Sequence, residues 1–146
     1  MKINAIIEIP KGDNRRRHLN YAQTAIEDFG AIIDVIPIND GVMPVAYGYL
    51  EGTLNKVEKD NVDVIVFSSN TFQVGEKVLV EPFAIFRRLD DDHKILATDE
   101  TIEITAWEDV KKEERDLLLE YFGYKHPITA VENKQSAEEY IRTSTL

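Results

Sequence analysis

Apolar positions gather in short runs separated by polar, Gly- or Pro-marked turns. Residues 3–9, Ile-Asn-Ala-Ile-Ile-Glu-Ile, read as a strand that stops at Pro10, and residues 31–36, Ala-Ile-Ile-Asp-Val-Ile, as a second that stops at Pro37. Joined by a loop, the two suggest an antiparallel meander. A third run follows the acidic turn Glu58-Lys59-Asp60-Asn61 and covers residues 62–67. Residues 77–88 form a long strand candidate, with Pro82 demanding a bulge or an edge position. After a second acidic turn, Asp90-Asp91-Asp92, comes the short run 95–97, and residues 128–132 offer a closing strand. From residue 105 the period changes: Val110, Leu117, Leu118, Tyr121 and Phe122 recur at helical spacing. This predicts a helix over 106–122, opened by Thr105-Ala106-Trp107-Glu108 and stopped at Gly123. Ser136-Ala137-Glu138-Glu139 opens a second over 137–143. Many short strands with polar turns favour a barrel or sandwich over an α/β sheet, so the expected class is α+β and mainly β, a single domain over 1–146.

Composition narrows the chemistry. A 146-residue chain that is 43% hydrophobic can bury a real core. The 27 acidic against 17 basic residues give a net charge of −10, which disfavours nucleic acid and anionic membranes and suits divalent cations. The absence of cysteine excludes disulfides, zinc–thiolate sites and thiol nucleophiles. The N-terminal apolar stretch, broken at Glu8, is too short and charged for a signal peptide, and no run reaches membrane-spanning length, so a soluble cytoplasmic protein is expected.

Candidate chemistry centres on Glu58, Asp60 and Asp63, carboxylates that repel one another wherever they converge. A hard divalent cation such as Mg²⁺ or Mn²⁺ offsets that repulsion, and one or two carboxylates plus substrate phosphates suffice to hold it. In a regular strand Asp60 and Asp63 face opposite ways, so Asp60 belongs in the turn or at a bulge. The alternative is an ordinary solvated acidic turn. Glu8, alone among apolar neighbours, either faces solvent or lines a polar interior. Arg15-Arg16-Arg17-His18 is the only concentrated positive charge in the chain, fit for a phosphate or for a solvated edge. Tyr47-Gly48-Tyr49 brings backbone close to a ligand or permits a bend, and packing is the leading role for each tyrosine. His18, His93 and His126 read as surface residues.

Taken together, Glu8-Ile9-Pro10, Pro44-x-x-Tyr47-Gly48-Tyr49, Thr53-Leu54, Asp60-x-x-Asp63-Val64, Asp92-x-Lys94 and Tyr124-Lys125 resemble, in this order, the family I soluble inorganic pyrophosphatases. The likeness runs from about residue 4 to about residue 140. It implies a small OB-like closed β-barrel with flanking helices, a homo-oligomer (hexameric in bacterial relatives), and Mg²⁺-dependent hydrolysis of pyrophosphate. By the same resemblance Glu8, Glu58, Asp60, Asp63, Asp90 and Asp92 bind or organise the metal, with Asp60 or Asp63 orienting or deprotonating the attacking water. Arg17, Tyr47, Lys94, Tyr124 and Lys125 grip the phosphates.

There are departures. Glu58 stands where an aspartate is usual, Leu19 replaces a glutamate, Val35 a phosphate-binding arginine and Met43 a tyrosine. Losing one such arginine costs about 2.7–4 kcal/mol of transition-state stabilisation, a hundredfold or more in rate. Arginines 15, 16, 87 and 88 are the available replacements. Two alternatives follow: a barrel that binds metal or a phosphate ligand as a regulatory module without turnover, or a hydrolase of another phosphate compound.

Overall fold

The computed structural model describes residues 1–146. Its strands are β1 (Ile3–Ile9), β2 (Arg15–Leu19), β3 (Ile26–Ala31), β4 (Ala46–Leu50), β5 (Asp63–Phe67), β6 (Lys77–Arg88), β7 (Lys94–Thr98) and β8 (Ile128–Asn133), with helices α1 (Lys112–Phe122) and α2 (Lys134–Ser144). The main sheet runs β1-β4-β5-β7-β6, and β6 pairs back onto β1, so five strands close into a ring. All these pairings are antiparallel except β5 with β7. The expected OB-like barrel with C-terminal helices is the observed architecture.

Pro82 explains how one strand serves two neighbours. The β6–β7 register shifts between Pro82 and Ala84. Before that bend Lys77–Val80 pair with β1, and after it Ala84–Arg88 pair with β8. A proline that cannot donate to a ladder thus sits at a bulge.

Both faces of the ring are covered. One apolar cluster joins Ile65, Phe67, Phe86 and Leu96 to Leu118, Tyr121 and Phe122 of α1. The other joins Val64, Val66, Ile85 and Ile95 to Ala137 and Ile141 of α2. Strands covered on both sides read as continuous apolar runs, which is why residues 62–67 and 95–97 lack alternation. Gly48 allows β4 to approach β1: a Cβ there would lie 1.9 Å from the Ile6 carbonyl oxygen. The neighbour that required glycine is backbone of the next strand.

Several elements differ from the sequence expectation. Of residues 31–36 only Ala31 is in a strand, as the end of β3; Ile32–Asp34 form a 3₁₀ turn, closed by Val35 N–H donating to Ile32 O at 2.9 Å. That turn buries Ile32 and leaves Ile33 and Asp34 exposed. No meander joins it to β1. Instead Arg15–Leu19 and Ile26–Ala31 form a separate hairpin. The helix expected over 106–122 is divided. Asp109 Oδ2 accepts from the N–H groups of Thr105 and Ala106 and ends a short 3₁₀ turn, Trp107–Asp109, while Val110 is extended, so α1 begins at Lys112. The second helix begins at Lys134, three residues earlier than expected, because the Asn133 side chain caps it by accepting from Ser136 N–H at 3.1 Å. His93 is not a surface residue: its side chain is 12% exposed and Nδ1 accepts from Arg88 N–H at 2.9 Å. No helix is long and apolar enough to cross a membrane.

Candidate active site

The parallel pair β5/β7 sets Asp63 opposite Lys94. Both side chains share a strand face with Ile65 and Leu96, so they sit at one end of the cluster that α1 covers. Lys94 Nζ lies 2.6 Å from Asp63 Oδ2 and 3.0 Å from Asp92 Oδ2, bridging two carboxylates. Its ammonium is 5.5 Å from the centre of the Tyr47 ring, which in turn stacks on Phe122.

Glu8 reaches this group through a bulge. Ile7 pairs with Gly48 and Ile9 with Tyr47, so Glu8 is the extra residue of β1. The bulge turns the carboxyl inward, and Glu8 is 4% exposed. Of the two sequence readings for Glu8, the polar interior is the one realised. Its Oε2 accepts the Leu19 N–H at 2.6 Å.

Burial and crowding tune these acids apart. Burial lifts Glu8 to about 8, helped by the charges of Asp63 and Asp60 and opposed by the Leu19 N–H. Burial likewise lifts Asp63 to about 7, with Lys94 opposing and Asp92 reinforcing. Asp92 is also pushed up by burial, but the charge and hydrogen bond of Lys94 outweigh this and hold it below the usual carboxylate range. Lys94 loses to burial and gains more from Asp63 and Asp92, so it stays charged. The Tyr47 hydroxyl is raised well above its ordinary value by burial and by the same acids, and remains a neutral donor.

The donor set suits a hard cation. Carboxylates that burial and mutual repulsion keep partly protonated gain from a divalent charge, and every candidate ligand is an oxygen. No three acidic or imidazole side chains converge into a closed cage. Asp63 and Asp92, the two carboxylates gathered on Lys94, offer oxygen donors of the kind a hard divalent cation takes.

The remaining nominated residues divide. Asp60 lies in the turn as the strand geometry required, its Oδ1 accepting the Asn61 N–H at 2.8 Å, close enough for its charge to act on Glu8. Glu58 is exposed and makes no ion pair. Asp90 turns toward Arg88 and His126, each at 3.7 Å. Arg17 pairs with Asp13 at 2.9 Å, and Tyr124 is half exposed.

Beside the acidic group lies a cavity of about 200 Å³ that Tyr47, Lys94 and Lys125 line together with Arg16, His18 and Arg88. Three larger clefts, of about 410, 530 and 760 Å³, are lined by none of the nominated residues. The sequence offers Arg16 only as one of four replacement arginines and His18 as a surface residue, because residues 15–18 read as a charged patch and not as a strand. As a strand, alternation puts these two on one face and Arg15 and Arg17 on the other, which was the available signal. Burial, then the charges of Lys94 and Arg16, push His18 down to about 4.

Among known proteins, the family model described as "Inorganic pyrophosphatase" matches residues 5–145. An inorganic pyrophosphatase of Ureaplasma parvum serovar 3 is 34% identical over 100 residues, 66% of this chain and 52% of its own. One of Campylobacter jejuni is 31% identical over 100 residues, 66% of this chain and 54% of its own. The match thus spans about half the length of these curated relatives. The crystal structure of an inorganic pyrophosphatase from Ehrlichia chaffeensis superposes with a TM-score of 0.86 at 21% identity, covering 98% of this chain and 92% of that one. At that identity the likeness is one of fold.

Proposed function

The chain belongs to the inorganic pyrophosphatase family, and from that premise we propose that it hydrolyses pyrophosphate to two phosphates with the help of a divalent cation, Mg²⁺ foremost. The observation that carries this reading is the Asp63–Lys94–Asp92 cluster, with Tyr47 against it and Lys125 at the same cavity. Asp63 and Asp92 would hold the cation, with Asp60 at the rim. When bound, the cation supplies charge neutralisation on the phosphoryl oxygens and acidifies water.

This chain's own residues do the rest. Asp60 or Asp63 would orient the attacking water or take its proton. Lys94 and Lys125 present positive charge to phosphoryl oxygens, and the Tyr47 hydroxyl offers a hydrogen bond. Asp90, nominated by the resemblance, accepts the Asp92 N–H at 3.1 Å and shares Arg88 with Asp92, so it would support that carboxylate; Arg17, Tyr124 and Glu58 make no hydrogen bond or ion pair to Asp63, Asp92 or Lys94. A cytoplasmic setting and a homo-oligomeric assembly belong to the same reading, and sedimentation measures the latter.

The deciding experiment is phosphate release from pyrophosphate by the purified chain with and without Mg²⁺, beside Asp60→Asn and Asp63→Asn prepared identically. We expect metal-dependent release that falls about a hundredfold or more in both variants. Release no greater than that of the variants at any metal concentration refutes the proposal.

A further inference from the structure

The wall of the cavity beside the acidic cluster has two chemically different parts. One is cationic and comprises Arg16, Arg88, Lys94 and Lys125. Lys94 and Arg88 are balanced by Asp63, Asp92 and Asp90, but Arg16 and Lys125 have no carboxylate within 4.0 Å. In a chain of net charge −10, two unpaired cations at one cavity mark a place for an anion. The apolar part is Ile9, Ile32, Val35, Ile36 and Met43, which offer no side-chain donor. Val35 and Met43 are the positions where the sequence resemblance expected an arginine and a tyrosine, and they meet in this one cavity although they lie on different segments.

Bare pyrophosphate carries oxygen on every side and finds nothing to bond on that apolar part. A ligand with a phosphoryl end and an apolar end satisfies both parts. The volume sets the size, since an apolar cavity of about 150 Å³ holds a benzene molecule and this one measures about 200 Å³.

Resting on the hydrolase reading above, we propose that the preferred ligand is an organic diphosphate whose single apolar substituent is no larger than about one six-membered ring. Its phosphates face Arg16, Lys94 and Lys125, and its substituent lies against Val35 and Met43. In the corresponding reaction the oxygen of water bonds to the terminal phosphorus as the bond from that phosphorus to the bridging oxygen breaks. The bonding pair leaves with the organic monophosphate, the terminal group departs as inorganic phosphate, and the released proton passes to solvent.

Binding tests this separately from turnover. Isothermal calorimetry in Mg²⁺ compares methylenediphosphonate with its monobenzyl ester, whose P–C–P bridges resist hydrolysis. The ester is expected to bind about tenfold tighter or better, the return on burying one small apolar group. Val35→Arg, or the milder Val35→Gln if the first does not fold, should remove that preference while keeping affinity for the parent compound. Arg16→Gln should weaken both ligands alike. Equal or tighter binding of the parent by the unaltered chain, or no binding of either, overturns the proposal. Pyrophosphate turnover with a parent-preferring site leaves the hydrolase reading standing, whereas ester preference without phosphate release from any diphosphate removes the hydrolase reading alone.

Discussion

Glu8 offers the sharpest quantitative test of the site's electrostatics. It is 4% exposed, and its folded pKa stands near 8 against an ordinary value of 4.5. Between those values the folded chain keeps a proton that the unfolded chain has released. Native protein binds more protons than unfolded protein, so stability must fall as pH rises through this window and is fully present only below about 4.5. At about 1.4 kcal/mol for each pH unit crossed, less near each pKa where the curve flattens, the loss between pH 5 and 8 comes to about 3.5 kcal/mol. Glu8→Gln removes the titrating group, and the amide oxygen can still accept the Leu19 N–H. Urea unfolding of both proteins at several pH values, in chelator, gives two stability curves. His18, pushed down to about 4, works in the opposite sense between pH 4 and 6.5, so the raw curve is ambiguous and the difference between the two proteins is the readout. The variant should gain about 3.5 kcal/mol on the parent from pH 5 to 8. Parallel curves would refute a buried, proton-holding Glu8.

Further perturbations probe the same region. Lys94→Met leaves Asp63 and Asp92 facing each other without a cation, and should cost about 3–5 kcal/mol. Added Mg²⁺ should then raise the variant's thermal midpoint more than the parent's, and equal shifts would argue against a shared cation site. Gly48→Ala places a Cβ 1.9 Å from the Ile6 carbonyl oxygen, so β1 and β4 must part. A loss of about 3 kcal/mol in urea unfolding is expected, and an unchanged midpoint would contradict that close approach.

What the sequence revealed depended on whether an element is held by apolar burial. The runs that became β1, β5, β6 and β7 were legible because they bury both faces, and Pro82 announced its own bulge. The β2–β3 hairpin was not. Its strands, Arg-Arg-Arg-His-Leu and Ile-Glu-Asp-Phe-Gly-Ala, carry little apolar pattern and are joined by cross-strand charge such as Arg15 with Asp28 at 2.9 Å. Residues 31–36 failed for the converse reason: a short β-branched apolar run serves a 3₁₀ turn as well as a strand. In the site, Asp63, Asp92 and Lys94 were legible as a set, but the place of Arg16 and His18 on one strand face depended on the hairpin and went unseen with it. The inward turn of Glu8 depends on a one-residue bulge that apolar periodicity does not report.

The pairing of β5 with β7 has a further consequence, for how the chain finds its shape. These strands lie some thirty residues apart, and theirs is the only parallel contact in the ring. Contacts of long sequence separation are slow to form, because loop entropy is lost before the contact is gained. A slip of one residue would turn Lys94 away from Asp63, stranding a cation among apolar side chains and leaving two acids unmatched. The charge trio therefore penalises a misregistered pairing of these two strands. Substitutions that retune the site for other chemistry will also be read in the refolding rate.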